Sequence, residues 1–220
     1  MSVQFFGKEV SVAAPMVACA FWSLCGVAIP AAGQVETVVE YGYSDVWSCG
    51  PDTSTGQISC LYYDSYFVTS FPDEIAVLDA GGLGSPYCCH WFRTYETFNA
   101  WSGPESGALP TCRFFNPTFF DHFYTPYAAE CAVVQAHVDW HYQYEGTAFY
   151  LQLPDASGNC PIGTTILYRL YNDGYGRPLH RLTASAATFS EMLAEGWLFE
   201  GDSRTFAFAC VPSSTAPSAP

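Results

Sequence analysis

Hydrophobic and aromatic residues occur along this chain in short runs that are separated by polar turn residues. Two of these runs, CRFF at 112–115 and ILYRLY at 166–171, are rich in aromatic and branched side chains, which is typical of strands. Turn residues follow each run, NP at 116–117 and NDG at 172–174. The runs HFYT and HRLT then predict the returning strand of a hairpin. The alternation therefore predicts two strand hairpins of the same design.

Each predicted hairpin is followed by a segment typical of a short helix. Ala128–His137 and Ala187–Glu195 both come after a polar start, and Phe189 and Met192 lie on one face of the second helix. A third helix is predicted at Pro72–Ala80, whose acidic residues occupy the favourable N-terminal turn. A strand then closes each segment, over Trp91–Trp101, Gln143–Leu153 and Trp197–Cys210.

A fainter version of the hairpin precedes the helix at Pro72–Ala80. Thr37–Tyr43 and Tyr62–Thr69 are predicted to form its two strands. Trp47–Cys60 between them is rich in Gly, Ser, Thr and Pro, and we interpret it as an inserted loop. The order strand, strand, helix, strand is therefore predicted three times.

The spacing of equivalent residues is regular in the three segments. Tyr66, His122 and His180 each precede a threonine by three residues, at steps of 122 − 66 = 56 and 180 − 122 = 58. Two further sets of aromatic residues recur: Trp91, Tyr142 and Trp197, then Phe98, Phe149 and Phe206. A period above about 50 residues is the mark of repeat architectures, whose small units share a core.

We therefore predict a strand-rich α+β fold of three pseudo-symmetric ββαβ(β) repeats around a shared core. The units span about 37–101, 111–153 and 165–212, within a single domain at 34–212. Residues 213–220 (SSTAPSAP) have the composition of a disordered tail.

Residues 1–33 have the pattern of a secretory signal peptide. Lys8 supplies a weak positive start, Val10–Ile29 is apolar, and small residues precede Gln34. A membrane-spanning anchor and a lipoprotein signal with Cys19 as the lipidated residue are alternative interpretations. The later sequence contains no run long and apolar enough to span a bilayer, so we predict a secreted or periplasmic protein, or one on the outer cell surface.

The charge of the chain limits its partners. The formal net charge is −14, with only 13% charged residues and 17% aromatic residues. Nucleic acids and anionic membranes require a basic surface, so neither is predicted as a partner. We predict no cofactor and no metal.

Eight cysteines remain after the predicted leader, an even number that indicates disulfide bonds in an exported protein. Cys112–Cys131 and Cys160–Cys210 are predicted pairs, because the first two cysteines bracket one hairpin and its helix and the other two bracket the last unit. The other four, Cys49, Cys60, Cys88 and Cys89, form either Cys49–Cys60 and a vicinal Cys88–Cys89 bridge or crossed bonds between the two sets. A zinc site is the rival interpretation, but the spacing is irregular.

The motifs EYGYSD, CRFF, HFYTPYAAECA, YEGTAFYL, YRLYN, HRLT and GWLFEG resemble a bacterial repeat family of unknown function that is often C-terminal in secreted proteins. The family's signature is a Tyr-Arg-Phe-Tyr-Asn strand, then His-Phe-Tyr-Thr, a helix and Trp-x-Tyr-Glu-Gly-x-Ala-Phe. The resemblance covers about 37–212 and implies an exported three-unit module without a stated activity. The first unit departs from the signature at Tyr66 and at Thr94–Tyr95, which favours two equivalent sites over three.

Several polar residues recur at equivalent positions and are candidates for a site. Each histidine of the HFYT and HRLT motifs is either a ligand-binding group or a side chain that hydrogen-bonds within its own hairpin. Glu145 and Glu200 are either an acid–base pair for glycoside hydrolysis or partners of the arginines in the preceding strands. Exposed aromatic side chains stack on sugars or contact proteins, and Trp101 and Trp140 are predicted to be exposed. The complete set of predicted ligand-binding residues is Arg113, Asn116, His122, Tyr124, Trp140, Arg169, Asn172, His180 and Trp101.

The abundance of aromatic residues favours a binding module over an enzyme. We expect recognition of a glycan or a partner protein at the cell surface. The alternatives are a hydrolase of cell-envelope polysaccharide, with Glu145 or Glu200 and His122 or His180 as acid and base, and a purely structural assembly subunit. Catalysis requires these side chains to converge in one cleft, whereas binding permits separate equivalent sites.

Overall fold

A computed structural model describes residues 33–51, 58–82, 91–105, 107–172, 178–201 and 204–214, with the backbone alone between 44 and 64. The predicted leader, the Cys88–Cys89 pair, the side chains of Cys49 and Cys60, and the tail from residue 215 onward lie outside the described residues. The strands are β1 Val35–Pro51, β2 Ile58–Thr69, β3 Phe92–Trp101, β4 Ala108–Asn116, β5 Asp121–Thr125, β6 Gln143–Gln152, β7 Thr164–Asn172, β8 Leu179–Thr183, β9 Leu198–Glu200 and β10 Ala209–Pro212. The helices are α1 Pro72–Asp79, α2 Ala128–Ala136, α3 Ala186–Ala194 and a short 3-10 helix at Val138–Trp140.

The order of elements follows the predicted pattern. We call β1-β2-α1-β3 segment 1, β4-β5-α2-β6 segment 2, and β7-β8-α3-β9-β10 segment 3. The bounds of all three helices lie within one residue of the predicted ones. The chain is therefore strand-rich and α+β.

A recurring threonine explains why each helix begins where it does. Thr69, Thr125 and Thr183 end the return strands β2, β5 and β8, and all three are buried. Each hydroxyl oxygen accepts a hydrogen bond from the backbone N–H two residues later, at 3.0 Å in every case. This local bond turns the chain from the strand into the helix.

The strands form one antiparallel sheet. Its main order is β2-β1-β3-β6-β10-β7-β8, while β4 pairs with β5 and β6, and β9 pairs with β7. The last strand, β10, lies between β6 and β7 and pairs with both. The return strands β2, β5 and β8 also contact one another.

A single large cluster of buried side chains draws on all three segments. Its members include Val38, Tyr41, Phe67, Phe98, Phe149, Leu151, Leu167, Phe208 and Val211. Of the recurring aromatic set, Phe98 and Phe149 are buried, whereas Phe206 is 37% exposed and the nearby Phe208 is buried instead. Smaller clusters lie under α2 and α3. Burial of this apolar surface is the main favourable contribution to folding.

Segment 1 departs most from its predicted form. The predicted loop at Trp47–Cys60 is largely strand, because β1 runs to Pro51 and β2 starts at Ile58. The backbones of Cys49 and Cys60 lie opposite each other in this ladder. The ladder contains a register shift between Val46 and Ser48.

Two of the predicted disulfides are confirmed. Cys112–Cys131 joins β4 to α2, and Cys160–Cys210 joins the start of segment 3 to β10. Among the described residues, every helix is too short or too polar to cross a bilayer.

Candidate ligand-binding clefts

Two clefts lie where one segment meets the next. Cleft A, about 320 Å³, lies between segments 1 and 2 and is lined by Phe67, Glu74, Leu78, Trp91, Arg113, Phe115, Phe120, His122 and Glu145. Cleft B, about 600 Å³, lies between segments 2 and 3 and is lined by Phe119, Phe123, Glu130, Val133, Val134, Asp139, Trp140, His141, Tyr142, Tyr171, Pro178 and His180.

The two clefts are lined by residues at corresponding positions of neighbouring segments. Phe67 on β2 corresponds to Phe123 on β5, and both are contributed by the earlier segment. Glu74 and Glu130 are the third residues of α1 and α2, with 130 − 74 = 56. The equivalent histidines are contributed by the later segment. Each cleft is therefore made by two segments together.

A buried arginine contacts two carboxylates at each cleft. Arg113 lines cleft A, and Arg169 lies behind cleft B. Arg113 binds both oxygens of Glu74 at 2.8 and 2.9 Å, and its Nε lies 2.9 Å from Glu145. Arg169 binds both oxygens of Glu130 at 2.8 Å. Its Nε lies 2.9 Å from Glu200 in a charge contact that lacks hydrogen-bond alignment. The predicted pairing of Glu145 and Glu200 with these arginines is present in the structure.

The environments of the carboxylates shift their pKa values in different directions. Burial opposes ionisation of Glu130, but its hydrogen bonds from Arg169 hold the pKa below the ordinary value. Burial of Glu145 raises its pKa in spite of the neighbouring Arg113. Glu130 is therefore the more firmly ionised of the two.

His122 is enclosed by aromatic rings in cleft A. Its ring centre lies 4.3 Å from that of Phe67 and 4.9 Å from that of Phe115. Its Nε2 lies 3.7 Å from Glu145, and its Nδ1 has no hydrogen-bond partner among the described residues. Burial and the charge of Arg113 hold the pKa of His122 well below its ordinary value, so the ring is neutral near pH 7.

His180 occupies the equivalent position in cleft B but lies between two carboxyl groups. Its Nδ1 is 3.4 Å from Asp121, and its Nε2 is 3.6 Å from Glu200. Asp121 is fully buried and also accepts a hydrogen bond from the Tyr142 hydroxyl at 3.0 Å. Burial raises the pKa of Asp121 although His180 acts in the opposite direction. The polar contacts of His180 therefore reach Asp121 in the neighbouring hairpin. The alternative of a histidine that hydrogen-bonds within its own hairpin expected a different partner.

Trp140 is an exposed aromatic residue at the edge of cleft B, as predicted. It is 43% exposed, and its ring stacks on His137 with centres 4.2 Å apart and planes 8° apart. Its carbonyl oxygen accepts a hydrogen bond from Asn116 at 2.9 Å. The prediction for Trp101 is wrong, since this residue is 8% exposed and belongs to the interior of the sheet on β3.

Besides Trp101, four predicted site residues line neither cleft: Asn116, Tyr124, Arg169 and Asn172. Tyr124 is buried, and its hydroxyl donates to the carbonyl of Val68, which ties β5 to β2. Asn116 is fully buried and its side-chain oxygen accepts from the backbone of the turn that follows β4. Asn172 is half-buried at the end of β7, opposite Leu179. Arg169 lies behind cleft B rather than in its lining.

The third junction, between segments 3 and 1, has different chemistry. The Arg181 guanidinium binds both oxygens of the buried Glu40 at 2.8 and 3.0 Å. It also lies 4.1 Å from the ring centre of Tyr66, and its Nη1 is 3.5 Å from the sulfur of Met192. Tyr66 corresponds to His122 and His180, and Arg181 corresponds to Phe67 and Phe123. A charged side chain of the protein itself thus packs into this junction.

Several residues of the clefts were not predicted. Glu74, Glu130 and Tyr142 line the clefts, and Asp121 lies directly behind cleft B. The signal for the two glutamates was present, because they are separated by the repeat spacing and both follow a helix start. Among the described residues, no three His, Cys, Asp or Glu side chains are placed to hold one metal ion.

Comparison with known proteins identifies a family whose function is unknown. Residues 89–206 match the model of a family described as a domain of unknown function, DUF5648. The chain belongs to this family. The match is narrower than the expected resemblance over 37–212, since it leaves out β1, β2 and α1. Neither curated proteins nor solved structures gave a match.

Proposed function

We propose that this member of the DUF5648 family is an exported recognition module that binds a glycan in cleft B. The observation that carries the proposal is the exposed Trp140 ring, which stacks on His137 at the edge of a 600 Å³ cleft. Cavities of about 300–1,000 Å³ lined by aromatic residues with a few polar groups are typical ligand sites.

The chemistry of the lining suits a sugar. The apolar C–H face of a sugar ring packs on exposed aromatic rings such as that of Trp140, and the half-buried Tyr142 ring lies in the same lining. Sugar hydroxyls donate hydrogen bonds, and Glu130, Asp139 and His180 offer acceptors in the same cleft. A flat indole that is already packed against another ring loses little conformational entropy on binding.

We also propose that the three segments are pseudo-symmetric repeats around a shared core. Equivalent residues support this arrangement at every junction, because corresponding side chains from neighbouring return strands are in contact: Phe67 with His122, Phe123 with His180, and Arg181 with Tyr66. Clefts A and B open beside His122 and His180, whereas Arg181 fills the corresponding place beside Tyr66, which supports two equivalent sites. The cleft of about 430 Å³ between segments 1 and 3 is lined by other positions, such as Glu96 and Ser185.

The hydrolase alternative has less support. His122 lies 3.7 Å from Glu145 in cleft A, and His180 lies 3.6 Å from Glu200 behind cleft B, so one histidine and one glutamate meet at each place. Both glutamates are also held by an arginine. Export is proposed from the two disulfides, which persist in oxidising compartments.

The test is binding of the oxidised protein, residues 34–220, to an array of glycans and cell-envelope polymers. We expect saturable binding that Trp140→Ala weakens by about tenfold or more, because an aromatic stack of this kind contributes about 1–2 kcal/mol. The matched control is Tyr95→Ala, which removes a ring that is 88% exposed and lines neither cleft.

Two results would contradict the proposal. One is the absence of binding to any glycan by a folded protein with fully paired thiols. The other is binding that Trp140→Ala and Tyr95→Ala reduce equally. Thermal unfolding of both variants establishes that each is folded.

A further inference from the structure

We infer that the ligand of cleft B carries a cationic amine, so that its sugar is an amino sugar with a free amino group. This inference rests on the proposed glycan-binding function and specifies the ligand class of the same cleft. Three independent observations support it: the balance of charge, the aromatic lining and the filling of the third junction.

Carboxyl groups outnumber cationic groups around cleft B. Glu130 and Asp139 line the cleft, and Asp121 and Glu200 lie behind His180. Among the described residues that contact these four carboxyl groups, the permanent cation is Arg169, which binds Glu130 and Glu200. Asp139 has a side chain that is 74% exposed and approaches only the imidazole of His137, at 3.5 Å. A cationic ligand would balance this excess, whereas an anionic ligand would be repelled.

The arginine does not obstruct the cleft. Arg169 is 5% exposed and is absent from the lining of cleft B, where its two glutamates and aromatic rings cover it. Arg113, in contrast, lines cleft A directly. A cationic ligand would therefore meet a guanidinium group in cleft A but carboxylates in cleft B, which assigns the inference to cleft B alone.

Aromatic rings supply the second part of a cation site. Trp140, Tyr142 and Tyr171 line cleft B together with two phenylalanines. The face of an aromatic ring attracts an ammonium group within about 6 Å of its centre, most strongly for tryptophan. An amine that contacts a carboxylate and an aromatic face at the same time gains from both.

The third junction shows this chemistry within the molecule itself. There the Arg181 guanidinium binds the Glu40 carboxylate and lies 4.1 Å from the Tyr66 ring centre. Tyr66 stands at the position of His180, and Trp197, whose ring centre is 6.0 Å from that of Tyr66, stands at the position of Tyr142. The Arg181 side chain thus occupies, in the third junction, the place that corresponds to cleft B. In cleft B the equivalent position holds Phe123, Arg169 holds Glu130, and Asp139 is the lining carboxylate that a ligand can contact.

The test compares two oligosaccharides that differ in charge. One is a tetramer of glucosamine at a pH at which its amines are protonated, and the other is the N-acetylated tetramer. We expect the glucosamine tetramer to bind about tenfold tighter, since a hydrogen bond to a charged group contributes about 1.5–3 kcal/mol. We also expect its affinity to fall with added salt, because salt screens charges at a protein surface.

Two variants place the interaction in cleft B. Asp139→Asn should weaken binding of the glucosamine tetramer by about two- to fivefold, as expected for an exposed ion pair. Glu191→Gln is the matched control, because it removes an exposed carboxylate from α3 that lines neither cleft, with the same change in net charge. It should leave the affinity unchanged.

The possible outcomes separate the two proposals. Equal affinity for both tetramers would overturn the cationic ligand while glycan binding stands. Binding of a tri-lysine peptide that Asp139→Asn weakens, with no glycan bound on the array, would overturn glycan binding and retain the cationic ligand. A preference for the glucosamine tetramer that Asp139→Asn and Glu191→Gln reduce equally would overturn the assignment to cleft B.

Discussion

Arg169 on β7 donates to both carboxylate oxygens of Glu130 at the start of α2, with both distances 2.8 Å. The two residues belong to different segments, and Arg169 is 5% exposed. The same relationship joins Arg113 to Glu74 between segments 1 and 2. These ion pairs therefore connect neighbouring segments at buried positions.

Loss of this buried cation should strongly destabilise the fold. Arg169→Met leaves the carboxylates of Glu130 and Glu200 without their partner, and we expect the free energy of unfolding in urea to fall by about 3–5 kcal/mol. The control is Arg93→Met, which breaks an exposed pair with Asp79 and should have an effect close to the error of the measurement. Equal losses for the two variants would show that burial does not determine the contribution of the pair.

His122 should make the protein less stable in weak acid. Its pKa lies well below the ordinary value of 6.5, so the unfolded chain binds a proton that the folded protein does not. Stability from this group is complete above pH 6.5 and is lost as the pH falls toward the folded-state pKa, by up to about 1.4 kcal/mol per pH unit.

The measurement for His122 is urea unfolding between pH 7 and pH 5. The difference in stability between the wild type and His122→Phe should shift in favour of the variant as the pH falls. This comparison cancels the opposite contribution of Glu145, whose pKa is raised. A difference that stays constant with pH would contradict a neutral, buried His122.

At the third junction, the double variant Glu40→Arg, Arg181→Phe should be more stable than the single variant Glu40→Arg. Glu40→Arg places a second guanidinium beside Arg181, and we expect a loss of more than about 3 kcal/mol. Adding Arg181→Phe recreates the arginine–phenylalanine pair seen with Arg169 and Phe123, whose ring centre is 4.9 Å from the guanidinium. The second change should recover at least about 1 kcal/mol, measured as a double-mutant cycle. Strictly additive losses would argue against equivalent junctions.

The two disulfides should contribute unequally. Cys160–Cys210 spans 50 residues and Cys112–Cys131 spans 19. Because a longer closed loop restricts the unfolded chain more, replacing the cysteines by serine should cost about 4 kcal/mol for the first pair and about 3 kcal/mol for the second. Thermal unfolding of the two double variants would give the order. The reverse order would indicate that folded-state packing around the sulfurs dominates.

Local signals in the sequence were sufficient for the elements of this fold. The helices at Pro72–Asp79, Ala128–Ala136 and Ala186–Ala194 follow from the threonine turn and the periodicity of apolar residues, both of which act within a few residues. The disulfide Cys112–Cys131 followed from two cysteines that bracket one hairpin and its helix, and Cys160–Cys210 followed from cysteines at the two ends of the last segment.

Contacts between segments were harder to predict. The pairing of Arg169 with Glu200 was expected, but that with Glu130 depends on how α2 of one segment meets β7 of the next. The burial of Trp101 has a similar cause, because its position opposite Val35 and Tyr150 depends on the order of strands in the sheet. Phe206 and Phe208 are two residues apart and chemically identical, so that only the register of the last strand distinguishes the buried ring from the exposed one.

The position of β10 has a consequence for the order of folding. This strand is the last in the described part of the chain, yet it lies between β6 and β7 rather than at an edge. During synthesis, β6 and β7 therefore both present open edges until residues 209–212 arrive, and such edges invite pairing with other chains. A chain cut short before Ala209 would lack both this strand and Cys210. Completion of the sheet thus distinguishes a chain that extends through Pro212 from one that stops before Ala209.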